Sequence, residues 1–164
     1  MIKLVSASSF QQLQIIEKLA NVIWNEHYTP IIGKAQVDYM LDTFQNVDAM
    51  FNQIENNYNY FVINYNKTDV GYLAFKLENS DLFLSKIYIL KNYRGKSLGK
   101  QAMKFVSNQA KISECKTITL TVNKFNSNSI KAYEKIGFLK VEELVMDIGN
   151  GFVMDDYKMI KTLA

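Results

Sequence analysis

The chain has 164 residues, 48% hydrophobic and 21% charged, with one proline and seven glycines, which excludes a disordered or collagen-like chain. That length is about one domain, and it buries roughly 70% of its unfolded surface, enough for a core without staples. The single cysteine, Cys115, excludes a disulfide framework or thiolate cluster, and the single histidine, His27, excludes a site of several imidazoles; no metal is expected.

Residues 1–9 lack the apolar stretch of a secretion signal. No run approaches the ~18 apolar residues of a membrane span, so the expected compartment is the cytoplasm, with no membrane partner. Met1–Ser6 reads as a strand. Ser8 or Ser9 caps a helix, with Gln11 or Gln12 closing the box, and Leu13, Ile16, Leu19, Ala20 and Ile23 form its apolar stripe up to about Trp24. Pro30 is expected to break the chain, within a loop that also holds Glu26 and His27. Gln36–Phe44 and Asp48–Glu55, the latter capped by Asn46, are helices. Tyr58–Tyr65 and Val70–Leu77 form a hairpin around Asn66–Asp69. Leu82–Leu90 is a long apolar strand leading into the loop Lys91–Ser97. Leu98, Ala102, Phe105, Val106 and Ile112 then mark one helix face. Lys116–Val122 alternates as a strand, and Ser129–Ile136 is a helix stopped by Gly137. Phe138–Ile148 and Phe152–Lys161 are strands hinged at Gly149–Gly151. The reading is a single α/β domain over 1–164 (α+β in some schemes), with a mixed sheet of about six or seven strands flanked by helices.

Charge is unevenly placed. Residues 1–81 are net negative, residues 114–164 carry seven charges of each sign, and residues 82–113 hold seven basic residues and no acid. Such a stretch is either an anion site or a solvated lysine face. Nucleic acid would need a wider basic surface, so none is expected as partner; a compact phosphate ligand fits better. Arg94 is the only arginine, and its donor fork can grip a phosphate at two points. The segment Ile87-Tyr88-Ile89-Leu90-Lys91-Asn92-Tyr93-Arg94-Gly95-Lys96-Ser97-Leu98-Gly99-Lys100 runs from strand through basic turn to helix, an arrangement that favours phosphate at the unpaired helix N–H groups. It is neither a Walker A loop nor G-x-G-x-x-G.

Arg94-Gly95-Lys96-Ser97-Leu98-Gly99 resembles the [QR]-x-x-G-x-[GA] acetyl-CoA signature of the GNAT N-acetyltransferase superfamily, with Ser97 where the pattern has its middle glycine. Asn126-Ser127-Asn128-Ser129-Ile130-Lys131-Ala132-Tyr133-Glu134-Lys135-Ile136-Gly137-Phe138 resembles a second signature, N-x-x-[AS]-x-x-x-Y-E-K-x-G-F. The resemblance extends over essentially the whole chain. Its Trp24–Gln36 and Asp155–Leu163 segments look like those of bacterial spermine/spermidine acetyltransferases.

The resemblance implies acetyl-CoA as donor and a small primary amine, such as a polyamine, as acceptor. It implies that the Ile87–Ile89 backbone, Tyr88 included, pairs with the pantetheine arm as an added strand. Gly95, Lys96, Ser97, Leu98, Gly99 and Lys100 would wrap the pyrophosphate, Asn126 would contact the cofactor, and backbone N–H around Ile89 would serve the oxyanion. It makes Tyr133 the acid for the departing thiolate; read alone, Tyr133 is equally a core tyrosine and Asn126 a turn residue.

Only roughly one alkylammonium in a thousand is deprotonated near neutrality, so a base helps. Many relatives place a Glu on the cofactor strand, where this chain has Ser85, and no carboxylate follows Asp81 on that strand. Glu26 and His27 are the candidate bases, or plain surface residues, with His27 favoured beside Tyr28. Asp155 and Asp156 either attract a cationic substrate or face solvent. Cys115 reads as a structural thiol. Two rival functions stand beside the first: a protein or peptide N-acetyltransferase, and a catalytically weak acyl-CoA-binding regulatory module. A homodimer is expected by analogy.

Overall fold

The computed structural model describes residues 1–164. Seven strands are ordered β1-β2-β3-β4-β5-β7-β6. They are β1 (Ile2–Ser6), β2 (Tyr58–Tyr65), β3 (Thr68–Glu78), β4 (Asp81–Ile89), β5 (Thr117–Asn123), β6 (Leu139–Gly149) and β7 (Phe152–Thr162). Six helices accompany them: α1 (Phe10–His27), α2 (Thr29–Ile32), α3 (Lys34–Phe44), α4 (Val47–Glu55), α5 (Leu98–Ile112) and α6 (Ser127–Lys135). This is the mixed α/β sheet that the sequence pattern implied. Parallel pairing occurs between β4 and β5, while β1–β2, β2–β3, β5–β7 and β6–β7 are antiparallel. No helix is long and apolar enough to cross a membrane.

The chain divides into two compact units. The first comprises Met1–Lys76 and Leu84–Asn108, the second Leu77–Phe83 and Gln109–Ala164. In the first, α1 starts at a full capping box, Ser9 with Gln12, and buries Leu13, Ile16, Leu19, Ala20, Ile23 and Trp24. The helix continues past Trp24 to His27, so Glu26 and His27 lie in its last turn and not in a loop. Pro30 does not break the chain there. It sits in the first turn of α2, where its missing N–H is no loss, and Gly33 at φ +86 closes that short helix. The Asn66–Lys67 turn of β2–β3 and the Asn79–Ser80 turn of β3–β4 have positive φ at both residues, the geometry that matches strand twist in a two-residue hairpin.

A polar knot fixes the helices of the first unit on its strands. Gln45 is fully buried; its Nε2 donates to Tyr60 OH (3.0 Å), and its Oε1 accepts from Tyr72 OH (2.6 Å). Tyr60 OH in turn donates to Gln53 Oε1 on α4. Burial pushes both phenols well above their ordinary range, so they remain neutral donors. In the second unit the core is built from Ile118, Leu120, Val122, Ile130, Phe138 and Met159. Asp81 accepts from Thr117 Oγ1 (2.7 Å) and Thr119 Oγ1 (2.8 Å), which fixes the start of β4 on β5.

Gln45→Leu keeps the volume but strips a buried hydroxyl of its acceptor. We expect a loss of about 2–3 kcal/mol in urea unfolding, with little change in the m-value.

Candidate functional site

β4 owes its position to a residue on its neighbour. A Cβ added at Gly71 of β3 would sit 2.1 Å from the Tyr88 carbonyl oxygen and 3.1 Å from Ile89 Cα, so only glycine lets the strands approach this closely. Leu90 N–H donates to Val70 O at 2.8 Å in the same stretch. Successive residues of a strand turn their backbone groups to opposite edges. Tyr88 and Leu90 therefore spend theirs toward β3, and Ile87 and Ile89 present theirs to the far edge. Within the first unit that edge carries no strand, since the pairing of β4 with β5 covers only Asp81–Phe83. Arg94 Nε donates to the Ile89 carbonyl at 3.1 Å, tying the turn back to the strand. By the same alternation the Ile87 N–H and C=O and the Ile89 N–H face the edge opposite β3.

After β4 a 3₁₀ turn, Lys91–Tyr93, leads to Gly95 at φ +79, Ser97 at φ +62 and the start of α5 at Leu98. Ser97 thus occupies the left-handed region that favours glycine, at a cost of about 1 kcal/mol. Arg94, Gly95, Lys96, Ser97 and Lys100 are exposed, and the first turn of α5 holds no acid. A Cβ at Gly95 or Gly99 would meet nothing within 4 Å, so both face open space. Leu98 is different: its side chain is buried in the core, and only its backbone is left to face a ligand.

Aromatic rings connect the end of α1 to β4. His27 meets Tyr28 at 4.7 Å between centroids, Tyr28 OH lies 2.9 Å from Tyr88 OH, and Trp24 and Tyr72 pack on Tyr88 at 5.9 and 5.4 Å. His27 is thereby brought to the strand through two phenols, whereas Glu26 is exposed. A separate surface pocket on α1 and α3, lined by Glu17, Asn21, Asp38, Leu41, Asp42 and Asn46, contains none of these residues.

The second unit holds the other motif. Asn126 is buried and opens α6, its carbonyl accepting from Ile130 N–H at 3.1 Å. Tyr133 is half-buried and packs edge-on against Phe138 at 5.6 Å. On β7, Asp155 pairs with Lys124 at 2.8 Å, and Glu143 joins the same lysine at 3.2 Å. Asp156 does not face solvent: it is 2% exposed and its Oδ1 has no hydrogen-bond partner. Burial, and then the negative Asp155, push its carboxyl up to about 6, with Lys124 pulling the other way.

The profile of the Acetyltransferase (GNAT) family matches residues 17–138 of this chain. The chain belongs to that family. A probable spermine N(1)-acetyltransferase of Bacillus subtilis subsp. natto (strain BEST195) is 34% identical over 62 residues, which is 37% of this chain and 41% of that protein. The chain thus matches about two-fifths of that relative's length. The crystal structure of PaiA N-acetyltransferase from Thermoplasma acidophilum in complex with coenzyme A superposes with a TM-score of 0.83 at 18% identity, covering 99% of both chains. The ribosomal-protein-S18-alanine N-acetyltransferase from Escherichia coli superposes at 0.74 and 14% identity, over 100% of this chain and 95% of that one.

Ser85 stands where the resemblance leads one to expect a Glu, and the residue after it is not singled out by the sequence. Lys86 donates from Nζ to Ser85 Oγ at 3.0 Å. By exposed area it is only half-buried, yet the atoms packed around its amine remove enough water to push the ammonium down to about 8. The signal in sequence was a lysine inside an apolar run with no acid near it.

Two measurements check this geometry. Gly71→Ala drives a methyl into the Tyr88 carbonyl and should destabilise by about 3 kcal/mol or more, or prevent folding, as read by urea unfolding. A carboxyl raised in the folded state is penalised when ionised, so Asp156→Asn should be more stable than wild type at pH 8, by about 1–3 kcal/mol. That gap should close as pH falls through 6 toward 4, where wild type becomes protonated; a gap constant over that range removes the shift.

Proposed function

We propose that this chain is an N-acetyltransferase that carries an acetyl group from acetyl-CoA to the primary amine of a small molecule by direct transfer, with polyamines the first acceptors to test. One observation carries the reading: strand alternation turns the Ile87 and Ile89 backbone groups to the edge away from β3, and the 3₁₀ turn that follows leads into an acid-free basic turn tied back to Ile89 by Arg94. An extended amide-bearing arm could add to that edge as a strand does. The exposed Arg94, Lys96 and Lys100, with the N–H groups opening α5, would hold a diphosphate. These residues fit the donor. The polyamine acceptor draws on the spermine acetyltransferase matched over part of the chain.

Acetyl-CoA supplies an activated acyl carbon and a thiolate leaving group. The chain's own part is to hold the arm on β4, to place a donor at the Ile89 N–H for the developing oxyanion, and to manage two protons. Tyr133 is the residue to protonate the departing thiolate. His27, reached from β4 through Tyr28 and Tyr88, is the candidate acceptor for the proton of the incoming ammonium. Glu26, exposed in the last turn of α1, has the weaker claim.

Calorimetry with acetyl-CoA followed by thiol release across spermine, spermidine, simple amines and short peptides tests the reading. We expect binding, and turnover on at least one small amine that Tyr133→Phe lowers by about a hundredfold. Turnover on peptides alone would move the acceptor to proteins, and binding with no thiol release would favour a regulatory module. Failure to bind acetyl-CoA at millimolar concentration would falsify the whole assignment.

A further inference from the structure

Lys86 combines features that the reaction above leaves unused. It projects from β4 within the first unit, its amine makes one hydrogen bond, to the Ser85 hydroxyl at 3.0 Å, and no carboxylate pairs with it. Two residues along the same face of β4, Tyr88 packs against Tyr72 from β3 and Tyr28, which in turn meets His27 at the end of α1. None of them is an acid that would hold an ammonium in place. A lysine desolvated without an anion sheds its proton, and burial pushes this one down to about 8. Near pH 7.5 its neutral fraction is then on the order of a hundredfold above that of an ordinary lysine.

Position supplies the rest, and here the inference rests on the proposed donor site. With the diphosphate at Arg94–Lys100 and the arm running back along Ile89 to Ile87, the sulfur end comes next to residue 86. We propose that Lys86 is a self-acetylation site: in the absence of an amine acceptor, the chain transfers the donor's acetyl group to its own Lys86 Nζ. The neutral nitrogen attacks the thioester carbonyl, the C–N bond forms as the C–S bond breaks, and the proton shed by nitrogen leaves with the thiolate as free thiol. The products are Nε-acetyl-Lys86 and coenzyme A, with no change of oxidation state. The resulting amide no longer charges a poorly hydrated position, so burial favours the product. The modification would also remove the one ammonium on this part of β4 and so gate the entry of an acceptor.

The test incubates the full chain with acetyl-CoA alone and reads acetylation at each lysine by peptide mass spectrometry, with coenzyme A binding measured in parallel by calorimetry. The expected result is one acetyl group per chain at Lys86, appearing at least about tenfold faster than at exposed Lys91, Lys96 or Lys100. Its rate should saturate with acetyl-CoA and be independent of protein concentration, and excess coenzyme A should suppress it. Binding with no acetylation at Lys86, or with a rate linear in acetyl-CoA and equal to that of the exposed lysines, overturns the proposal and leaves the proposed function standing. No binding at all overturns both. A readout free of the donor is stability: an ammonium whose pKa is lowered on folding is penalised below pH 8, so Lys86→Met should be more stable than wild type at pH 7. That advantage should shrink as pH rises through 8 toward 10, and an equal difference at both ends of the range would show an unpenalised amine and overturn the proposal.

Discussion

A missing side chain holds the candidate site together. With no Cβ at Gly71, the carbonyl of Tyr88 can lie where a methyl would otherwise stand, and β4 is pressed onto β3 at its C-terminal end. Once Tyr88 and Leu90 are committed to β3, the period of two in a strand leaves no choice for Ile87 and Ile89, whose polar groups must turn the other way. A backbone edge left this way needs partners, because amides are costly to leave unsatisfied once water is excluded. Arg94 answers one of these demands by bonding the Ile89 carbonyl, and in doing so it anchors the basic turn at a fixed distance from the strand. The geometry of strand, turn and helix thus descends from one steric allowance and one side-chain hydrogen bond.

The acid-free stretch from 82 to 113 has two consequences that look unrelated. At the turn, exposed Lys96 and Lys100 create an anion-attracting field. Inside the fold, the same lack of carboxylates leaves Lys86 with only a hydroxyl for company, and desolvation then drives its ammonium toward the neutral form. Lys124 shows the contrast. Hydrogen bonds to Asp155 and Glu143 raise its pKa, because there the charged form is the one its neighbours favour. Residue type fixes neither behaviour; the partner does.

Periodicity made most elements legible. The stripe of Leu13, Ile16, Leu19, Ala20 and Ile23, the alternation of β2 and β5, and the two signatures all depend on residues close in sequence. What escaped depends on contacts far apart in it. Pro30 hides the end of α1 at His27, because in sequence it looks like a break although a proline at a helix start costs no hydrogen bond. Asp156 reads as a surface acid beside Asp155, yet neighbours on a strand face opposite sides, and only its pairing with Asn123 and Leu144 shows which side is covered. Gly71 sits in a strand like any glycine until Tyr88, seventeen residues away, is placed against it.

Ser97 stands where the signature has its middle glycine, and magnitudes decide what that departure costs. The φ of +62 costs about 1 kcal/mol for a residue with a Cβ. The burial of Leu98, the next residue along, returns about 2 kcal/mol, and Ala102, Val106 and Ala110 add more along the same helix face. The helix therefore holds its first turn against that strain. What a phosphate meets at this point is a backbone N–H, and its direction is set by the dihedral angle, which serine adopts here as glycine would. The added Cβ and hydroxyl belong to an exposed residue, and a hydroxyl is itself a donor to phosphate. On these grounds the substitution gives little support to a chain that has lost its grip on the cofactor. Only Ser85, at the strand position where a carboxylate was expected, then favours a merely regulatory module.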